Sequence, residues 1–235
     1  MANSILANQV ILSKNYTPGR NGNKVERITI HCVVGQLSCK AVTNLAHWQP
    51  GGQASANYII GTDGKICLNV NEDNRAWTSG GKAGTEKVAG KTGKLNDFKA
   101  ITIEAASDLK EPYAFNDIVY KRLMELCIDI MRRYNKNKAV FFSDAAKAEN
   151  YAANNQKQNE MLFTCHRFYA NVSCPGDWFF TRLPSFVDEL NSKLGGDTTT
   201  LYRVQVGAFK NKANAILLKQ ELTDKGYDCF IVEGK

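Results

Sequence analysis

No stretch of this 235-residue chain approaches the roughly 18 consecutive apolar residues that a bilayer-spanning helix needs, so no membrane insertion is expected. The opening, MANSILANQVILSKNYTPGR, lacks a basic segment followed by an apolar one, so no signal peptide is read. Synthesis in the cytoplasm is expected, and a target outside it requires release by another route. Clusters of Arg and Lys with interleaved aromatics are also missing, which removes nucleic acid from the expected partners. A tight cysteine framework is absent too. Cys32, Cys39, Cys67, Cys127, Cys165, Cys174 and Cys229 are odd in number and widely spaced, which argues against a disulfide scaffold and for a reducing compartment of synthesis.

With 43% hydrophobic and 23% charged residues, the composition is that of a folded globular chain and excludes disorder or collagen-like repeats. Lys+Arg 30 against Asp+Glu 23 gives a net charge of +7, which suits an anionic partner such as an acidic wall polymer.

RITIHCVV, residues 27–34, is β-branched and apolar and reads as a buried strand. A short helix is expected from about Lys40 to Trp48. NYIIGTDGKICLNV reads as a hairpin about Thr62-Asp63-Gly64. Residues 72–99 are polar and glycine-rich, a long connection of the kind that is functional or mobile. AITIEAAS, Ala100 to Ser107, is a second strand. FNDIVYKRLMELCIDIMRRYN is the clearest helix, capped by Asn116, with Asp117 in its first turn and Arg132 and Arg133 in its last. Residues 143–160 read as a polar surface excursion. DWFFTRLPSFVDELNSKL reads as a helix bent or restarted at Pro184.

Composition places domain boundaries at 1–194, a linker at 195–200 and a small unit at 201–235. YRVQVGAF alternates like a half-buried strand, NKANAILLKQELTDK is helical with Asn211 as its cap, and YDCFIV is a strand. A β-α-β unit this small buries too little surface to stand alone. It must dock on the main domain, pair with a second copy or be part of a longer module, and weak self-association through residues 201–235 is the expectation.

His31 lies within the strand ITIHCVV, and His166 stands eight residues before Cys174. Imidazole and thiolate are borderline-soft ligands suited to zinc, and three protein ligands is the layout of a catalytic site. Spacing alone leaves two readings open: a metal centre, or a core histidine and an inert buried cysteine. Glu104 is the second anomaly. Strand alternation sets it on the face opposite Ile101 and Ile103, where a carboxylate must meet water, a cation or a cleft.

Five stretches in order, ITIHCVVG, ASANYIIGTDGKI, EDNRAWTSG, NDFKAITIEAAS and HRFYANVSCPGDWF, resemble the zinc-dependent N-acetylmuramoyl-L-alanine amidases of the amidase-2 family. The likeness spans about residues 25 to 192 and is greatest to clostridial endolysins and autolysins. It implies an α/β fold: a mixed central β-sheet flanked by helices, to which the residues add the small C-terminal β-α-β unit. It implies Zn2+ as cofactor and peptidoglycan as substrate, cut between N-acetylmuramic acid and L-alanine. His31, His166 and Cys174 match the metal ligands, Glu104 matches the catalytic glutamate, and Trp77, Thr78 and Asn96 fall in substrate-side positions. Two positions depart from the pattern. Val172 stands where many relatives carry Lys or Thr, and Ala56 where some carry Tyr. A valine donates no hydrogen bond to a developing oxyanion, which leaves a non-catalytic peptidoglycan-binding protein as the alternative. The C-terminal unit resembles one of the two repeats of a SPOR domain, which implies wall binding.

Overall fold

The computed structural model describes residues 3–82, 84–196, 205–227 and 229–232. Two compact units are present, Met1–Thr198 and Thr199–Lys235. In chain order the first holds strands β1 (Gln9–Val10), β2 (Tyr16–Thr17) and β3 (Arg27–Cys32), helix α1 (Cys39–Thr43), and strands β4 (Tyr58–Ile60), β5 (Ile66–Leu68) and β6 (Arg75–Ala76). Helix α2 (Gly93–Lys99), β7 (Ala100–Ala105), α3 (Asp117–Arg133), β8 (Lys138–Phe141), α4 (Ala145–Asn154), β9 (Glu160–Cys165), α5 (Asp177–Phe180) and α6 (Leu183–Gly196) follow. Seven strands form one mixed sheet in the order β1-β5-β4-β7-β3-β9-β8, with helices on its faces. All its pairings are parallel except the β4–β5 hairpin. β2 and β6 form a separate antiparallel pair.

The central strands divide the sheet into two faces of different chemistry. Parallel register aligns Ile28, Ile30 and Cys32 of β3 with Ile101, Ile103 and Ala105 of β7, and Ile28 with Phe163 of β9. These join the main core with Val119, Leu123, Leu126 and Ile130 of α3 and Leu183, Phe186 and Leu190 of α6. The same register puts Thr29 beside Thr102 and Thr164, and His31 beside Glu104, on the other face. That second face is buried and polar, and it carries the site.

Several elements differ from the sequence expectation. β3 stops at Cys32, because Val34 sits at φ 57°, a left-handed turn that ends the strand. The expected helix from Lys40 to Trp48 is α1 followed by a separate tight turn, Ala46–Trp48. Residues 72–99 are not all loop, since β6 and α2 lie within them. Residues 143–160 are no surface excursion: α4 packs Ala145 and Ala148 against Cys165 and Phe168 and buries Glu149. By contrast, the expected restart at Pro184 is present: α5 ends at Phe180 and α6 begins at Leu183, with Pro184 in its first turn, where its missing N–H breaks no helical bond. That helix runs on to Gly196, past the expected start of the linker.

In the second unit, helix α7 (Lys212–Asp224) is capped by Asn211, as its sequence indicates. The first three residues of the first expected strand, 202–204, lie outside the described residues. Among the described residues, 205–209 and 229–232 join no sheet, so the β-α-β expectation holds there for its helix alone. No helix among the described residues is long and apolar enough to cross a membrane.

Candidate metal centre

Three parallel strands deliver the site. His31 is near the carboxyl end of β3, Glu104 near that of β7, and His166 directly follows β9. Ligands of open α/β sheets bind at this edge, where loops leave the strand ends free to converge. Cys174 arrives from the loop before α5. Gly176, at φ 86°, makes the turn after it. A side chain there would meet Pro112 O at 2.6 Å, so glycine is required both by conformation and by space.

The ligand atoms of His31, His166 and Cys174 lie within 4.8 Å of one another. The two imidazoles approach at 4.9 Å between ring centres, tilted by 53°. His166 Nε2 faces the carbonyl of Gly80 at 2.9 Å, and His31 Nε2 faces Ser79 Oγ at 3.1 Å. His31 Nδ1 is buried without a hydrogen-bond partner and stands 4.0 Å from Glu104 Oε1, while Glu104 Oε2 is likewise buried and unpaired. The backbone N–H of Cys32 donates to Cys174 Sγ at 3.3 Å.

Electrostatics follow from burial. Loss of water, then the nearby His166, pushes His31 well below the usual imidazole range. Burial lowers His166 as well, against the pull of the Gly80 carbonyl. Burial raises Glu104 well above the carboxylate range, and burial with the neighbouring Cys32 thiol raises Cys174. Neutral imidazoles are competent ligands as they stand. A divalent cation among these atoms would satisfy the orphaned His31 Nδ1 and favour the charged forms of Cys174 and Glu104. Two imidazoles and a thiolate are a zinc-type donor set.

Around this cluster the other expected residues take different places. Trp77 is half-buried, with its indole N–H on Thr17 Oγ1 at 2.9 Å. Thr78 is half-buried, its hydroxyl donating to Ser55 O at 2.6 Å and paired with Thr102 Oγ1 at 2.7 Å. Asn96 is 2% exposed and lies behind the ligands, with its amide on Thr29 Oγ1 at 2.8 Å and Ser79 Oγ at 3.3 Å. Val172 is 42% exposed, and Ala56 is buried in a second apolar cluster with Val42, Trp48 and Ile59.

Sequence reasoning passed over Ser79 and Asp97. Asp97 Oδ2 accepts the backbone N–H groups of Thr78 at 3.0 Å and Ser79 at 2.8 Å. Burial pushes its carboxyl up to about 6 against those bonds. The signal that could have found Asp97 was masked, because α2 buries Asn96 and Asp97 and leaves Leu95 51% exposed. Hydrophobic periodicity is a poor guide to that helix, since of its two large apolar residues Phe98 is buried and Leu95 is exposed. Gly93 lets α2 come close, since a Cβ there would fall 1.4 Å from Ser79 O.

The model of the family described as N-acetylmuramoyl-L-alanine amidase matches residues 21–177, and the SPOR domain model matches residues 197–235. No curated protein matches the chain. Among solved structures, an AmpD derivative is similar at 20% identity, over 80% of this chain and 99% of that one, with a TM-score of 0.45. The endolysin N-acetylmuramoyl-L-alanine amidase LysCS from Clostridium intestinale is similar at 15% identity, over 80% and 96%, with a TM-score of 0.45. A Drosophila PGRP-LB mutant in complex with tracheal cytotoxin is similar at 13% identity, over 76% and 96%, with a TM-score of 0.44.

Proposed function

The chain belongs to the N-acetylmuramoyl-L-alanine amidase family, and from that premise we propose that it is a zinc hydrolase that lyses Gram-positive walls by cutting the amide between N-acetylmuramic acid and L-alanine. The amidase and SPOR matches together indicate peptidoglycan as the ligand. The observation that carries the zinc reading is the convergence of His31, His166 and Cys174 ligand atoms within 4.8 Å at one sheet edge.

His31, His166 and Cys174 hold the metal in this reading. When bound, zinc supplies a Lewis acid that polarises the scissile carbonyl and lowers the pKa of water. Glu104, on the same face as His31, takes the proton of the attacking water and returns it to the leaving nitrogen. Both transfers matter, because an unprotonated amine leaves poorly. The elevated carboxyl of Glu104 suits the second transfer. In this reading Trp77, half-buried with its indole N–H on Thr17, and Thr78, its hydroxyl anchored to Ser55, contact the substrate. Net positive charge favours approach to anionic wall polymers. Phage endolysins and bacterial autolysins share this chemistry, with release from the cytoplasm preceding action on the wall.

The test is to load the full chain with zinc, measure one metal per chain, and incubate it with purified walls. New alanine amino termini are expected. A second reading, a non-catalytic wall binder, is favoured by one observation: exposed Val172, two residues before Cys174, has a side chain that donates no hydrogen bond. Bound zinc with no released amine would select that reading.

A further inference from the structure

We propose that Arg167 is a positioning residue: its guanidinium ties down the loop that carries Cys174 and so holds the sulfur where it can share one metal ion with His166. The proposal rests on the reading of Cys174 as a zinc ligand and adds how that ligand is held.

The three ligands are not fixed equally. His31 lies inside β3, which pairs with β7 on one side and β9 on the other, and His166 directly follows β9. Cys174 has no strand beneath it. It sits in the stretch 171–176 that leads into α5, where Asn171, Val172 and Ser173 are exposed and Cys174 itself is only partly buried against the main core. A segment with so little buried surface opens easily unless hydrogen bonds hold its course.

Arg167 supplies those bonds from the position next to His166. Its backbone N–H donates to Cys174 O at 3.1 Å. Its Nη1 donates to Asp177 Oδ1 at 2.9 Å, and its Nη2 donates to Ser173 O. The side chain thus grips the loop on both sides of the ligand, one residue before it and three after. The guanidinium also lies over the Phe180 ring, 4.4 Å from its centre, which fixes its plane against α5. Its side chain is only 18% exposed, and Nε is buried without a hydrogen-bond partner. An arginine that served solubility alone would turn that N–H to water. The arrangement needs a planar fork, because a carboxylate and a carbonyl are held at once by two nitrogens at fixed spacing, which a lysine ammonium cannot reproduce. One residue therefore joins two of the three ligands: His166 through the chain, and Cys174 through the loop it clamps.

The experiment uses the full chain with Arg167→Ala, Arg167→Lys and, as a control, Arg182→Ala. Arg182 likewise stacks on an aromatic ring of α5, Trp178 at 4.3 Å, but its side chain bonds the Trp178 carbonyl instead of the Cys174 loop. Competition against a chromogenic chelator reports zinc affinity. Cobalt in place of zinc reports the sulfur, through the thiolate-to-metal charge-transfer band. Alkylation of Cys174 in the metal-free protein, read by peptide mass, reports the loop with no metal present. Arg167→Ala is expected to weaken zinc binding by roughly 10- to 100-fold, the usual effect of losing an outer-shell partner, and to diminish the thiolate band. Cys174 is expected to alkylate roughly 10-fold faster in that variant, because loss of charge-assisted bonds lets the loop open more often. Arg167→Lys keeps the charge without the fork and is expected to follow Arg167→Ala; it carries the test if Arg167→Ala does not fold. Arg182→Ala is expected to leave all three readouts unchanged, even where its Tm falls. Wild-type zinc affinity and thiolate band in either Arg167 variant overturn the proposal, as does an equal change in Arg182→Ala. If the wild-type chain takes up neither zinc nor cobalt yet Cys174 alkylates faster in Arg167→Ala, the zinc reading fails while the loop clamp stands.

Discussion

Glu104 and His31 are register partners on adjacent parallel strands, so the proposed proton carrier and a proposed ligand share one face through backbone geometry rather than loop placement. That separates their roles experimentally. Glu104→Gln keeps the shape of the side chain and is expected to leave zinc stoichiometry intact while lowering turnover by about 10²- to 10⁴-fold. Full activity in that variant would remove Glu104 from the mechanism. Cys174→Ser replaces a soft thiolate with a hydroxyl and should lose zinc and wall hydrolysis together, which elemental analysis and an amine-release assay read in parallel. The strand alternation of ITIEA and the His-to-Cys spacing made these residues legible in the sequence. Ser79 and Asp97 were not, because their place depends on neighbours distant in the chain: Ser79 Oγ meets His31 Nε2, and Asp97 Oδ2 accepts the backbone N–H groups of Thr78 and Ser79. Asn96 shows the same limit from the other side: its place in the motif was visible, but not its burial behind the ligands.

Among the elements, the strands with β-branched apolar runs and the capped helix α3 could be read directly, whereas β9 and α4 could not. β9 is central, yet its sequence EMLFTC has only three consecutive large apolar residues and no glycine or proline to mark its ends. α4 is alanine-rich and polar, and a buried ion pair adds to the packing of Ala145 and Ala148 in fixing it to the domain. Arg27 of β3 meets Glu149 of α4 through Nη1 at 2.6 Å and Nη2 at 3.1 Å, with Tyr169 OH donating to the same carboxylate at 3.1 Å. Removing one partner leaves a buried charge uncompensated. Glu149→Ala is expected to cost about 3–5 kcal/mol and to lower Tm by roughly 10 °C in a thermal melt. A shift under a degree would show that water reaches Arg27. At the start of β9, Glu160 responds to pH. Burial pushes its carboxyl up, but bonds from Tyr151 OH and Lys157 N–H, with Lys138 nearby, outweigh that and hold it below its usual range. A depressed carboxyl contributes stability above the unfolded-state pKa of about 4.3, and that contribution is lost as pH falls through the lower folded value. Glu160→Gln should therefore flatten the acid limb of the stability curve below about pH 4 while reducing stability at neutral pH.

At the scale of the whole chain, the two units differ in how they satisfy their apolar surface. The amidase unit buries most of its large apolar side chains in three clusters around one sheet. In Thr199–Lys235, helix α7 buries none, and Val206, Phe209, Leu217 and Val232 are exposed. A segment of this size that carries so much exposed apolar surface gains stability only by covering it. A second copy of the same segment supplies a self-complementary surface, since a two-fold contact pairs each patch with itself. The full chain is therefore expected to sediment with a mass that rises above the monomer as concentration increases, while a 1–194 truncation stays monomeric. Leu217→Asp in the full chain should return it to the monomer and leave zinc content untouched, because that residue lies outside the amidase unit. If the full chain and the truncation both sediment as monomers at every concentration, the exposed surface serves something other than self-pairing. The SPOR match then leaves the wall itself as the surface it covers, read by loss of wall pelleting in the same truncation.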